Sequence, residues 1–105
     1  MEDCVTLTEL SGETVIKLTG DFNHGMHSRF MQVLSIIPPD SASNGKRCII
    51  DMSETTQLDF AALGMLLVIF ERVGRGSPCI AIAHPNPQVM SALKTARLDK
   101  LFTII

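Results

Sequence analysis

The sequence predicts an α/β domain: a mixed β-sheet, with a leading antiparallel hairpin followed by parallel strands, carrying about three to four helices. Three observations point to it. The first twenty or so residues alternate apolar and polar side chains across a Ser11-Gly12 turn signal, the period of two paired strands. Further on, short apolar runs alternate with stretches of helical spacing, and strands separated by helices pair in parallel through right-handed crossovers. Finally, 105 residues make one domain, 1–105, large enough to bury its own core without a disulfide or metal.

In chain order, residues 4–10 set Val5, Leu7 and Leu10 against Thr6, Thr8 and Glu9. A second strand over 15–19 completes a hairpin spanning 4–20. Gly20-Asp21-Phe22-Asn23 is expected to break that strand, with Asn23 or a neighbour capping a helix. Met26, Phe30, Val33, Leu34 and Ile37 recur at helical spacing, so an amphipathic helix is predicted over 25–37. Pro38-Pro39 stops it, and 40–46 reads as a polar loop with an Asn44-Gly45 turn. Residues 47–52 form a third strand, whose continuous apolar run predicts a central strand covered on both faces. A polar stretch over 54–57 is expected to be a loop. Residues 59–73 are helical and apolar nearly all round, which predicts a buried helix, ended by Gly74-Arg75-Gly76. A fourth strand covers 78–83. Asn86 then caps a helix with Pro87 at its first position, facing Val89, Met90, Leu93 and Ala96 inward, and 101–105 is a last short strand or extended tail. Internal repeats and low-complexity segments are absent.

Several function classes fall away on composition. A formal net charge of −2 is wrong for a nucleic-acid binder, which is normally basic on one face. Trp and Tyr are absent and the five Phe are scattered, so there is no platform for stacking bases. The start, Met1-Glu2-Asp3-Cys4, is acidic and lacks an apolar core, so no signal peptide is expected. The longest apolar run falls short of the roughly 20 residues that span a bilayer. A soluble cytoplasmic chain without direct membrane insertion is therefore expected. Cys4, Cys48 and Cys79 form no C-x-x-C pair and read as reduced, small core residues. No nucleophile sits beside a base in a motif, and neither G-x-S-x-G nor a P-loop occurs, so no enzymatic activity or cofactor is expected. Asp21, Asp51 and Asp59 follow strands or begin a helix and together would suit a cation such as Mg²⁺. The simpler reading has Asp59 capping the second helix and Asp51 holding a loop. His24, His27 and His84 lack the spacing of a metal site.

The stretch 48–74 carries most of the functional information. An apolar strand ends in Asp51, a polar stretch follows, and an apolar helix begins just after Asp59. In open α/β sheets, ligands and partners meet the chain at the carboxyl ends of strands. With Leu18-Thr19-Gly20-Asp21-Phe22-Asn23, Ile49-Ile50-Asp51-Met52-Ser53, Leu58-Asp59 followed by Ala62-Leu63-Gly64 and Leu66-Leu67, and the ending 93–102, the chain resembles the STAS domain family over essentially its whole length. That family comprises anti-sigma factor antagonists and the cytoplasmic tails of sulfate transporters. The resemblance implies a STAS-like fold and a signalling role in transcription regulation. In the antagonist branch a Ser after the Asp is phosphorylated by an anti-sigma factor that is also a serine kinase, at a helix N-terminus that favours added negative charge. Phosphate then repels the partner, which is partner switching.

At that place this chain reads Asp59-Phe60-Ala61-Ala62. The Asp is kept, but Phe60 replaces the phosphorylatable Ser, Ala61 the next hydroxyl residue, and Ala62 the first Gly of the motif. Neither Phe nor Ala accepts a phosphoryl group. Asn23 stands where the family often has a second Asp. The resemblance thus implies a protein-binding module for a kinase-like anti-sigma regulator, unphosphorylated at the usual position. By position it implies partner contacts at Asp21, Asn23, His24, Leu58, Asp59, Phe60, Ala61 and Met65. Phe60 has two readings, the start of a buried helix face or an exposed apolar anchor. Ser53, Thr55 and Thr56 are alternative phosphorylation sites, or hydroxyls that satisfy loop backbone; Ser28 is a weaker candidate. The alternative function is a cytoplasmic STAS subunit of a membrane transport assembly, of ABC or anion-transporter type. A ligand sensor using the same loops is a third.

Overall fold

In the computed structural model, the described residues are 4–10, 12–37, 47–74 and 80–105. They form β1 (Cys4–Leu10), β2 (Glu13–Phe22), a 3₁₀ turn (His24–Met26), α1 (His27–Ile36), β3 (Arg47–Leu58), α2 (Phe60–Gly74), β4 (Ile80–Ala83), α3 (Pro87–Thr95), a second 3₁₀ turn (Leu98–Lys100) and β5 (Thr103–Ile104). The five strands lie in the order β1-β2-β3-β4-β5. β1 and β2 pair antiparallel, and every later pair is parallel. The predicted mixed sheet with its leading hairpin is thus the observed one. The expected stops at Pro38-Pro39, Asn44-Gly45 and Gly76, and Cys79, lie outside the described residues.

Strand order explains the layering. When successive right-handed crossovers all step in one direction, their helices fall on one face of the sheet. One core results. Ile16, Leu18 and Phe22 of β2, Cys48, Ile50 and Met52 of β3, and Ile80 and Ile82 of β4 meet Phe30 and Leu34 of α1, Ala62, Met65, Leu66, Ile69 and Val73 of α2, and Val89 and Leu93 of α3. Two aromatic pairs brace it, Phe22 on Phe30 with ring centroids 5.3 Å apart and Phe70 on Phe102 at 5.4 Å. β3 was expected to be covered on both faces. Instead its burial alternates from Arg47 to Met52, and its other face carries Arg47, Ile49 and Asp51, exposed or half-buried.

Two strands run past their predicted ends, and this builds the site. β2 continues through Gly20 and Asp21 to Phe22, and β3 continues through Ser53-Glu54-Thr55-Thr56-Gln57 to Leu58. The expected break and the expected polar loop pair with one another: Thr19 with Glu54, Gly20 with Thr55, Asp21 with Gln57 and Phe22 with Leu58. Register shifts between Lys17 and Thr19, and again between Gly20 and Asp21, let β3 carry extra residues. Gly20 reaches φ +86°, a backbone conformation that glycine adopts without strain. Pairing across the sheet overrides local turn propensity here. Cys4 differs from expectation too: it is exposed, whereas Cys48 is buried as read. Burial pushes the Cys48 thiol up to about 11, which leaves it protonated and unreactive.

Candidate functional site

The prolonged ends of β2 and β3 deliver the chain to the 3₁₀ turn and to the start of α2. Asp59 joins these segments. One carboxylate oxygen accepts from the Ala62 N–H at 2.8 Å, closing the first turn of α2 as the predicted cap. The other accepts from the His24 N–H at 3.1 Å, and the Asp59 N–H donates to the Phe22 carbonyl at 3.4 Å. The cap therefore also pins the β2–α1 connection against α2, a link between residues far apart in sequence.

Asp21 performs a similar task one layer back. Its carboxylate accepts from the Thr56 hydroxyl and from the Gln57 side-chain amide at 3.1 Å. Those two bonds, Thr56 first, hold its pKa below the ordinary aspartate value. Asn23 caps the 3₁₀ turn, accepting from the Gly25 N–H at 2.9 Å. Asn86 links a third element: it caps α3 through the Val89 N–H at 2.8 Å and donates to the Thr55 carbonyl at 2.9 Å. This last link escaped the sequence reading, in which Asn86 was only a cap.

On this mount Phe60, the first residue of α2, is 92% exposed. Of its two readings, the buried helix face is excluded. His24 is exposed nearby, and Leu58 and Ala61 are half-buried. Met65 does not belong with them. It faces the sheet and is only 3% exposed, so it cannot touch a partner without unfolding of the core; position in the motif placed it at the surface, but helical phase turns it inward.

The alternative hydroxyls separate in the same way. They lie on the end of β3, not in a loop. Thr55 is buried and its hydroxyl donates to the Leu18 carbonyl at 2.8 Å, which removes it as a kinase target. Thr56 is exposed but engaged with Asp21. Ser53 is exposed, its N–H bound to Asp51 at 2.9 Å. Among the described residues, no three His, Cys, Asp or Glu side chains gather into a metal-binding group, so Asp21, Asp51 and Asp59 are not brought together around a cation.

Two grooves flank α2. One, of about 500 Å³, is lined by Leu58, Asp59, Phe60 and Leu63 on its side and by Ala92 and Thr95 of α3 and the C-capping Ala96. The other, of about 670 Å³, lies between α1 and α2 and is lined by Met31, Leu34, Leu67 and Val68, among others. Arg72 closes that side by donating to the Leu34 and Ile37 carbonyls at the end of α1, at 2.9 and 3.1 Å. Leu67 and Val68 are 43% and 44% exposed, so α2 is not buried all round as expected. The missed signal was the excess itself: one sheet can cover only about half of a helix, and the apolar residues of α2 exceed that half.

Comparisons with known proteins agree with this architecture. A family model described as "Mlab, STAS domain" matches residues 5–104. A STAS-domain containing protein of Pseudomonas aeruginosa (strain UCBPP-PA14) is 30% identical over 92 residues, covering 88% of this chain and 87% of that protein. Among solved structures, an anti-sigma factor antagonist from Mycobacterium paratuberculosis superposes with a TM-score of 0.80 at 17% identity, over 98% of this chain and 85% of that one. The anti-sigma factor antagonist SpoIIAA in its unphosphorylated form gives 0.74 at 15% identity, over 97% and 88%. At such identities the structural likeness speaks for the fold. Among the described residues, no helix is long and apolar enough to cross a membrane.

Proposed function

We propose a function from one premise: the chain belongs to the STAS domain family. It is a regulatory protein-interaction module of the anti-sigma factor antagonist kind, and it carries out no catalysis. It docks a protein partner, a kinase-like anti-sigma regulator, through the ends of β2 and β3 and the first turn of α2. Phe60, Ala61, His24 and Leu58 form the contact. Asp21, Asn23 and Asp59 hold these residues in place, because their side chains are engaged with the protein's own backbone and side chains.

The observation that carries this reading is Phe60. A phenylalanine left 92% exposed on the first residue of a helix loses the hydrophobic stabilisation it would gain by burial. It occupies the place where the family resemblance expects a phosphorylated Ser. A partner that covers it converts this into affinity, since aromatic anchors dominate such contacts. Docking is then constitutive with respect to phosphorylation at residue 60, which can accept no phosphoryl group. The test is retrieval from the native cell with the wild-type chain and with Phe60→Ala as bait. A kinase-like regulator is expected with the first and lost with the second. Equal recovery by both baits would sink the anchor, and recovery of transporter subunits in place of the regulator would favour the transport reading.

A further inference from the structure

The groove beside Phe60 has a second wall, which the contact at the start of α2 does not use. Leu58, Phe60 and Leu63 form one side, and Ala92, Thr95 and the C-capping Ala96 form the other. A side chain fixes the two walls relative to each other. β4 pairs with β3 only as far as Asp51 and Ala83, and His84, at φ +55°, turns the chain out of the strand. Past that point the Asn86 amide takes the place of a strand partner. It donates to the Thr55 carbonyl at 2.9 Å, while the Asn86 side-chain oxygen caps α3 at the Val89 N–H, 2.8 Å away. Thr55 in turn donates its hydroxyl to the Leu18 carbonyl at 2.8 Å. The helix that forms one wall is thereby bonded to the strand that leads into the other.

The lining selects an apolar occupant. Both oxygens of Asp59 already hold backbone N–H groups, and the Thr95 hydroxyl donates to the Ser91 carbonyl at 2.9 Å. A polar group entering the groove would lose its water without gaining a partner. Arg97, which follows Ala96, sets the charge beside that occupant. It is left-handed, at φ +61°, in the position after a helix that glycine fills most often. Glycine adopts that conformation without strain. The arginine brings the fold no bond in exchange: among the described residues its guanidinium has no ion pair or hydrogen bond. Lys94 and Lys100 are exposed and equally unpaired among the described residues, against one carboxylate, Asp99, in the same stretch. Lys94 complements the end of α3; Arg97 and Lys100 lie past it. This corner is cationic on a chain whose net charge is −2.

We propose that the regulator seats a large apolar side chain, with a carboxylate beside it, in the groove between α2 and α3, so that the docking surface runs from Phe60 across to Arg97. The proposal rests on the docking reading for who the partner is, and adds the chemistry of the segment it presents: leucine-like side chains with acidic neighbours. The two anchors then interlock, Phe60 reaching out and a partner side chain reaching in. The carboxylate meeting Arg97 supplies specificity and steers the encounter.

The test is amide NMR of the full chain, titrated to about 1 mM with an acetylated, amidated amphipathic peptide of leucine and glutamate, and with its leucine–lysine counterpart. The first is expected to shift the Leu63, Ala92, Thr95 and Ala96 amides, and the second to bind at least about tenfold more weakly. Ala96→Phe fills the groove from an exposed position and is expected to weaken the first peptide at least about tenfold. Arg97→Gly separates binding from folding: it is expected to weaken that peptide about fivefold and to leave the melting temperature unchanged or higher, since glycine suits the left-handed position. Leu67→Ala, in the groove on the α1 side, is expected to leave binding unchanged. No binding of the leucine–glutamate peptide overturns the proposal, as do equal binding of the two peptides and shifts confined to Leu67 and Val68. Retention on phosphatidylglycerol vesicles that needs Arg97 and Lys100 and ignores Ala96→Phe overturns it in favour of a membrane contact. Regulator binding that needs Phe60 but ignores Ala96→Phe and Arg97→Gly overturns the groove and leaves the docking reading standing. A groove that takes the peptide in a chain that retrieves no regulator keeps the ligand chemistry and removes the docking reading.

Discussion

The two long sides of α2 are made of similar residues and meet different fates. Ala62, Met65, Leu66, Ile69, Phe70 and Val73 turn toward the sheet and are buried, while Phe60, Leu67 and Val68 point to solvent. Both sides are apolar, so hydrophobicity alone does not distinguish them. Topology does. The sheet order places the helices on one face, and among the described residues no element covers the outside of α2. An apolar side chain with no layer to meet contributes little to the fold, and its presence is better explained by what comes from outside.

The largest expected effect tests that division directly. Leu66→Ala removes a fully buried side chain and is expected to cost about 2–5 kcal/mol in urea unfolding. Leu67→Ala, the next residue, is 43% exposed and is expected to cost under about 1 kcal/mol. Comparable losses would mean that the two sides are not distinct in the folded protomer.

A middle-sized effect is expected where the outer side is mounted. Asp59→Ala removes the α2 cap and frees the His24 N–H together, with an expected cost of about 1–2 kcal/mol. Hydrogen exchange locates the loss: the His24 and Ala62 amides are expected to exchange faster, and the Leu66 and Ile69 amides to be little changed relative to the global loss. Asp59→Asn keeps a side-chain acceptor and is expected to lose less. Uniform acceleration along α2 would show that the mount and the inner side are one unit.

Local chemistry made much of the fold legible, and long-range pairing hid the rest. β1 falls at Cys4–Leu10, and α3 starts on its Asn86 cap with Pro87 first, because alternation, caps and proline act within a few residues. The extensions of β2 and β3 were not legible, since Gly20-Asp21 and 53–57 look like breaks until each finds the other. The same holds for the candidate site. Asp59 as a cap could be read from spacing, but its second bond to His24 could not. The burial of Thr55 and Met65 and the exposure of Phe60 all depend on which side of a strand or helix has a layer above it, which sequence periodicity leaves open for a helix apolar all round.

The smallest expected effect separates the two sides by what holds them. Packing holds the inner side and has no titrating group. The strand ends that carry Phe60 are pinned partly by Asp21, whose pKa is lowered from 3.8 by hydrogen bonds from Thr56 and then Gln57. A carboxylate with its folded pKa below its unfolded one stabilises the fold above the unfolded value, and that contribution is lost as pH falls through the folded value. Melting temperature followed from about pH 5 to about pH 2 should therefore fall less steeply in Asp21→Asn than in wild type. The group is exposed, so the difference is modest, and salt should shrink it only slightly because hydrogen bonds, not distant charges, lower the pKa. Identical acid limbs would show that the Thr56 and Gln57 bonds do not favour the carboxylate in solution. The mount of the outer side would then rest on Asn23 and Asp59, and protonating Asp21 would not be a way to loosen Phe60 while the packed side of α2 stays intact.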